Sequence, residues 1–254
     1  MNIFFLNNDI VTEQNLNYCI DKFNTDGLLF GNGKRNKIKI FDVEGKKINV
    51  KHFKLPNLIN KIVYKYFRKS KAKRSFEYAN RLLQIGIGTP KPIAYLEEYD
   101  NIGLAKSYYV SEHLYYDLTF RELVEFPEFP DAENILRQFT RFSFEMHQQG
   151  IEFLDHSPGN TLIKNEGNGN YTFYLVDLNR MKFHDKIDFH TRMKNLSRLT
   201  PKKEMVAIMS NEYAKLSGED EKAVFETMWK FTEDFQYRFH RKKRLKKKLK
   251  FWKK

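Results

Sequence analysis

The sequence predicts an α+β fold in which a small antiparallel sheet is followed by a mostly helical half. Three observations predict it. Residues 28–54 hold three short runs that alternate with period two around glycine-containing turns, 161–176 reads as a tight hairpin, and from 185 onward apolar residues recur at spacings of three and four. The 254 residues suffice for one large domain or two lobes. Boundaries are expected at 1–112, 113–239 and 240–254, the last a basic amphipathic tail.

The formal charge of +13 is concentrated in 61–74 and in the last fifteen residues, where eight lysines and two arginines stand without an acidic residue. That balance points to an anionic surface as partner, membrane lipid or nucleic acid. No nucleic-acid module accompanies it, so a membrane surface is expected and nucleic acid is not. Cys19 stands alone, which excludes an internal disulfide or a cysteine-rich metal site and fits a reducing compartment. The opening apolar run lacks a basic leader and a small-residue cleavage site, and no stretch approaches the ~20 apolar residues of a membrane span. The expected location is the cytoplasm, or peripheral on the cytoplasmic face of a membrane.

Taken in order, 9–24 is amphipathic, 28–30 is a short strand, and Gly31-Asn32-Gly33 makes a turn. Glycines there let backbone N–H groups approach a phosphate closely, although Gly-Asn-Gly is also an ordinary hairpin turn. Strands follow over 37–43 and 47–54, with the turn at Glu44-Gly45-Lys46. Residues 56–71 mix apolar and basic clusters and read as a helix with a cationic face, either docked on anionic lipid or solvated. A second helix over 73–83 stops at Gly86 and Gly88, and strand-like runs at 93–97 and 104–112 flank a turn at Asp100-Asn101. Pro127 and Pro130 close a linker. Asp131 is then expected to cap a helix over 132–149 whose Ile135, Leu136, Phe139, Phe142, Phe144 and Met146 form a wide buried stripe. Helices over 187–199, 201–216 and 219–239 are bounded by Pro201 and Gly218. In the tail, Leu245, Leu249 and Trp252 share a helical side amid cations, the pattern of an interfacial helix. A disordered basic tail or a nucleic-acid contact is the alternative.

The chemistry is concentrated in 151–183. Asp155 and Asn160 sit five apart on a turn with Pro158 and Gly159, and Asp177 closes the apolar run 173–176. The intervening hairpin turn, 165–170, is expected to bring the two ends together. Two carboxylates and an amide so disposed suit phosphoryl transfer, where the protein supplies position and charge neutralisation. Asp155 can accept a hydroxyl proton. Asn160 and Asp177 offer hard oxygens to Mg²⁺, which takes one or two carboxylates plus phosphate oxygens.

The strings LDHSPGNTLI and YLVDLNRMKF resemble the lipopolysaccharide-core kinases, the Kdo and heptose kinases, whose fold is protein-kinase-like and bilobal. That resemblance implies ATP and Mg²⁺ as cofactors, Gly31 and Gly33 in a phosphate-contacting turn, and Lys51 at the nucleotide-contacting position of the third strand. It further implies Glu77 as the helix partner of Lys51, the backbone of Glu112, His113 and Leu114 as the hinge that meets adenine, and His147 as a structural group under the catalytic loop. The chain departs from protein kinases in having Phe153-Leu154 before Asp155 and Leu178-Asn179 after Asp177. With only a short run from Asp177 to Asp185, the acceptor expected is a small hydroxylated molecule rather than a protein. The implied acceptor is Kdo of a Kdo-lipid A precursor. Heptose or another small alcohol is the alternative, and a non-catalytic kinase-fold binding protein is the reading from another class.

Overall fold

The computed structural model describes residues 2–5, 11–31, 36–55, 57–126 and 128–251. Two compact units make up the chain, Met1–Tyr115 with Leu175–Arg180, and Tyr116–Tyr174 with Met181–Lys254.

The first unit carries β1 (Asn2–Phe5), α1 (Glu13–Asp21), β2 (Leu28–Phe30), β3 (Lys37–Val43), β4 (Lys46–His52), α2 (Leu58–Tyr66), α3 (Lys71–Gln84), β5 (Pro92–Tyr99) and β6 (Leu104–Glu112). Its strands form one antiparallel sheet in the order β1-β5-β6-β4-β3-β2. The β3–β4 turn is the one expected: Glu44 and Gly45 both have positive φ, 53° and 79°, which suits the two-residue hairpin geometry that follows strand twist. Strand alternation buries Ile48 and Val50 against Ile93, Leu96 and Val110, and α1 covers them with Leu16 and Cys19. A capping box starts α1, Thr12 accepting from the Asn15 N–H and Asn15 from the Thr12 N–H. Burial pushes the Cys19 thiol up to about 11, so this cysteine is core packing and not a nucleophile.

The helix expected over 56–71 is shorter, and the one expected over 73–83 begins earlier, at Lys71. α2 ends at Tyr66, and Ser70 caps α3 by accepting from the Lys73 N–H at 3.0 Å. A serine that satisfies an orphan donor of the next helix competes with continuing the previous one.

The second unit carries β7 (Leu118–Thr119), α4 (Phe120–Glu125), α5 (Ala132–Gln148), β8 (Ile151–Phe153), a 3₁₀ turn (Pro158–Asn160), β9 (Thr161–Gly167), β10 (Asn170–Leu175), β11 (Met181–Phe183), α6 (Phe189–Leu196), α7 (Lys203–Ser217) and α8 (Glu221–Phe251). β9 and β10 are the expected hairpin, closed by Asn168 and Gly169 at φ 52° and 73°. The apolar stripe of α5 is buried through Ile135, Leu136, Phe139 and Met146, against Met193, Leu196, Met209 and Tyr213. Asp131 does not cap α5 as expected. It sits left-handed at φ 60°, makes no capping hydrogen bond, and its carboxylate accepts from Asn134 Nδ2 at 2.9 Å. In that conformation the carboxylate meets a side-chain amide one turn on in place of the orphan backbone donors.

The segments flanking the hairpin are strands as well: β8 and β11 pair with Phe153 opposite Met181 and Ile151 opposite Phe183. The tail is the end of α8, which runs unbroken for 31 residues. No Gly or Pro interrupts it, Lys and Arg are good helix formers, and cations suit a helix C-terminus. Leu245 is exposed, while the side chain of Leu249 and all of Trp252 lie outside the described residues.

Candidate functional site

Strand β4 presents Lys51. Its register places Lys51 opposite Ile38 on β3 and Tyr109 on β6, in the middle of the sheet. The ammonium is 2.6 Å from Asp177 Oδ1 and lies over the Phe53 ring at 5.2 Å. Asp177 belongs to the segment Leu175–Arg180, which stays with the first unit through two hydrogen bonds: the Leu175 N–H donates to Gly88 O at 2.9 Å and the Thr89 hydroxyl to Leu175 O at 2.8 Å. Buried Leu178 anchors the next position. Asp177 itself is left-handed, φ 61°, a conformation costly for a residue with a Cβ and held here by its surroundings. Asn179, 7% exposed, donates to the same Oδ1 at 2.7 Å. Asp177 Oδ2 has no hydrogen bond among the described residues, which leaves one carboxylate oxygen for a further cation.

Glu77 is not the partner of Lys51. Both of its carboxylate oxygens take the Lys69 ammonium, at 2.9 and 2.8 Å. Lys69 stands just before the capped start of α3, within reach of a glutamate two turns into the helix, so Glu77 is held locally while Asp177 holds Lys51. Lys54 lies beyond the end of β4 and is exposed. Gly31 is left-handed at φ 78° with open space where a Cβ would be, as a close backbone approach requires. Gly33 lies outside the described residues.

At the expected hinge the donors are partly taken. The Glu112 N–H donates to Lys91 O and the His113 N–H to Lys47 O, each at 2.9 Å. His113 also pairs its ring with Asn49 Oδ1 at 3.1 Å. Of the three residues, Leu114 has no backbone N–H bond among the described residues.

In the second unit the loop after β8 carries Asp155 and Asn160. Asn160 donates its side-chain amide to Asp155 O at 2.8 Å, closing the turn, and the amide's carbonyl oxygen is left as the free polar end. Arg198, between α6 and α7, donates Nη1 to Leu154 O at 2.6 Å and to Asp155 Oδ1 at 3.2 Å. Its guanidinium lies over Phe235 of α8, 5.4 Å from the ring centre. The Asp155 carboxylate is thus aimed by a planar cation that is itself fixed by an aromatic ring.

A buried relay supports this loop from beneath. Asn195 Nδ2 donates to Phe153 O at 2.8 Å, so its Oδ1 faces His147 Nε2 at 3.1 Å, and His147 Nδ1 faces the Tyr213 hydroxyl at 2.9 Å. The consistent assignment has Tyr213 donating to Nδ1 and Nε2–H donating to Asn195, which requires a neutral ring. Burial enforces that, pushing the His147 pKa down to about 4. The role expected for His147 under the loop is therefore carried by hydrogen bonds to a neutral imidazole. His156, beside Asp155, is fully buried between Phe139 and Phe153, each 5.6 Å away, and burial pushes it down to about 3. Asn195 offsets part of this, yet neither His156 ring nitrogen reaches a hydrogen-bond partner. Gly150 makes the tight entry to β8: at φ 71°, a Cβ there would lie 1.9 Å from His184 O.

In the first unit Asp177 keeps a carboxylate oxygen, and in the second unit Asn160 keeps an amide oxygen, without a hydrogen bond among the described residues; each is a hard donor of the type Mg²⁺ takes. Among the described residues no cluster of three or more His, Cys, Asp or Glu side chains could hold a metal by itself. Sequence reading singled out Asp155, Asn160, Asp177 and Lys51. It missed Arg198, Asn195 and Thr89, whose partners are chiefly backbone carbonyls far away in the chain.

Residues 23–226 match the family model described as the lipopolysaccharide kinase (Kdo/WaaP) family. A solved structure described as WaaP in complex with acyl carrier protein aligns with a TM-score of 0.59 at 17% identity, covering 85% of this chain and 91% of that one. That likeness shows the fold, the α+β protein-kinase-like architecture the sequence led one to expect. No curated protein sequence matches the chain.

Proposed function

We propose, for a chain that belongs to the lipopolysaccharide kinase (Kdo/WaaP) family, that it transfers the γ-phosphoryl group of ATP to a sugar hydroxyl of the lipopolysaccharide inner core, with Kdo of a Kdo-lipid A precursor the first acceptor and heptose the alternative. The observation that carries this reading is the Lys51–Asp177 pair at 2.6 Å, a cation and a carboxylate poised together at a strained backbone position. In the absence of nucleotide each neutralises the other. With nucleotide present, Lys51 is suited to phosphate oxygens and the open oxygen of Asp177 to a metal.

Asp155 accepts the proton of the attacking hydroxyl, or orients that hydroxyl, while Asn160 closes its loop and Arg198 holds its Oδ1. Asn160 and Asp177 would hold Mg²⁺, which when bound offsets phosphate charge. Gly31 offers a backbone approach to phosphate, and Leu114 the hinge donor for adenine. The basic end of α8 is suited to an anionic membrane face, where a lipid-linked acceptor resides. Among the described residues no helix is long and apolar enough to cross a membrane.

The test is ATP consumption by the purified chain with Kdo-lipid A and, separately, with heptosylated core, followed by mass spectrometry of the product. Phosphorylated Kdo-lipid A is the expected result, and Asp155→Asn should abolish it. Phosphorylation of the heptosylated core alone selects heptose; transfer to neither acceptor refutes the reading.

A further inference from the structure

Helix α2 is oriented against the rule for a helix on a folded protein. Such a helix normally buries its apolar stripe and gives its charged face to water. Here no residue of α2 is buried, and Leu58, Ile59, Ile62 and Tyr66 are 65%, 74%, 44% and 66% exposed. At 100° per residue these four fall within an arc of about 100°, so they form one outward stripe. Phe67, 83% exposed, follows at its end.

The helix is nevertheless firmly placed. Asn57 caps it by accepting from the Asn60 N–H at 3.0 Å. On the inward side Lys61 pairs with Asp100 in the β5–β6 turn, and Gly103 of that turn lies so close that a Cβ would stand 2.4 Å from Lys61 O. A polar side tied down and an apolar side turned out describe a helix that presents its stripe to something else.

The charge around it says what that is. From Lys51 to Phe76 there are nine Lys and Arg and no Asp or Glu. Lys65 borders the apolar arc and Arg68 follows it. Both are exposed, with no carboxylate in ion-pair range among the described residues. We propose that α2 docks on an anionic lipid surface, its stripe Leu58, Ile59, Ile62 and Tyr66 entering the headgroup–acyl boundary while Lys65 and Arg68 meet lipid phosphates. The choice of a bilayer over other anionic partners rests on the reading of a lipid-linked acceptor. It is also favoured by the form of the surface, a convex helix with a bare stripe. The basic end of α8 offers mainly charge, with Leu245 exposed among its cations.

The test needs neither nucleotide nor acceptor, so it stands or falls apart from the kinase reading. Full-length protein is sedimented with vesicles of phosphatidylethanolamine and phosphatidylglycerol, and with vesicles of phosphatidylcholine alone, at 0.15 M and 1 M salt. The charge-only contribution of α8 fades at high salt, where screening is strong beyond about 3 Å, whereas apolar insertion persists. Leu58→Glu/Ile62→Glu should lower binding to anionic vesicles tenfold or more at 1 M salt, with the far-ultraviolet circular dichroism unchanged, since both positions are exposed. Lys65→Gln/Arg68→Gln should weaken binding at 0.15 M only. Ile59→Cys carrying an environment-sensitive fluorophore should shift to the blue on adding anionic vesicles. Wild-type vesicle binding in the double glutamate variant overturns the proposal. It is equally overturned if the variant instead abolishes self-association in sedimentation velocity, or loses binding to acyl carrier protein, while vesicle binding is kept.

Discussion

Lowering the pH should destabilise the second unit through two histidines that the fold keeps neutral. His147 and His156 are 2% and 0% exposed, and burial holds them at about 4 and about 3. In the unfolded chain both return to about 6.5. Because the folded values are depressed, the unfolded state binds more protons between pH 6.5 and each folded value, so stability falls as pH falls through that window and is flat above it. For His147 the linkage at pH 5 amounts to about 2 kcal/mol and for His156 again about 2 kcal/mol. By pH 4 the pair costs on the order of 6 kcal/mol, comparable to the whole stability of many domains.

The two side chains can be separated. His147→Gln keeps a donor for Asn195 and an acceptor for Tyr213. His156→Leu replaces a ring with two unpartnered nitrogens by an apolar side chain of similar size between Phe139 and Phe153, so at pH 7 it should be neutral or stabilising. Urea unfolding at pH 7 and pH 5 gives the result directly. Relative to wild type, His156→Leu should gain about 2 kcal/mol on going to pH 5, and the double variant about 4. A pH dependence identical in wild type and both variants would refute the claim that these imidazoles stay unprotonated in the fold.

Two further outcomes follow from the site. Lys51→Ala should lower Mg-ATP affinity tenfold or more in a nucleotide titration, about 1.4 kcal/mol, while Lys54→Ala stays near wild type because it lies past the strand and exposed; equal small effects would mean the strand register is wrong. Arg198→Ala should reduce kcat ten- to a hundredfold with KM for ATP unchanged, and Arg198→Lys should restore part of it, because the residue aims Asp155 without meeting nucleotide; a rise in KM alone would show that Arg198 acts elsewhere.

Much of the architecture could be read from periodicity, and the exceptions have physical causes. β3, β4, the hairpin and α5 to α7 are long enough for period two or 3.6 to emerge, and Glu44-Gly45 and Asn168-Gly169 mark their turns by chemistry. β8 and β11 are three residues each, too short for any period, and are strands because each pairs with the other across 27 intervening residues, 154–180. α2 was legible as a helix, docked on lipid or solvated, but not as one whose apolar stripe is the exposed side. Hydrophobic pattern locates an apolar stripe without saying whether the chain itself supplies the cover.

The site divides along the same line. Asp155, Asn160 and Asp177 stood out in the sequence because the proposed phosphoryl transfer needs those residue types at fixed spacing on turns. The groups that aim them were not, since Arg198, Asn195 and Thr89 act chiefly on the backbone carbonyls of Leu154, Phe153 and Leu175. Every residue has a carbonyl, so such a contact leaves no mark on the residue that accepts it. The donor's identity is constrained only by reach. Lys51 shows the converse: its type was legible, and its partner was misassigned to Glu77, because the nearer Lys69 takes both oxygens of that carboxylate. Ion-pair partners are chosen by geometry and local competition among cations, and a stretch with nine Lys and Arg offers many competitors for a single glutamate.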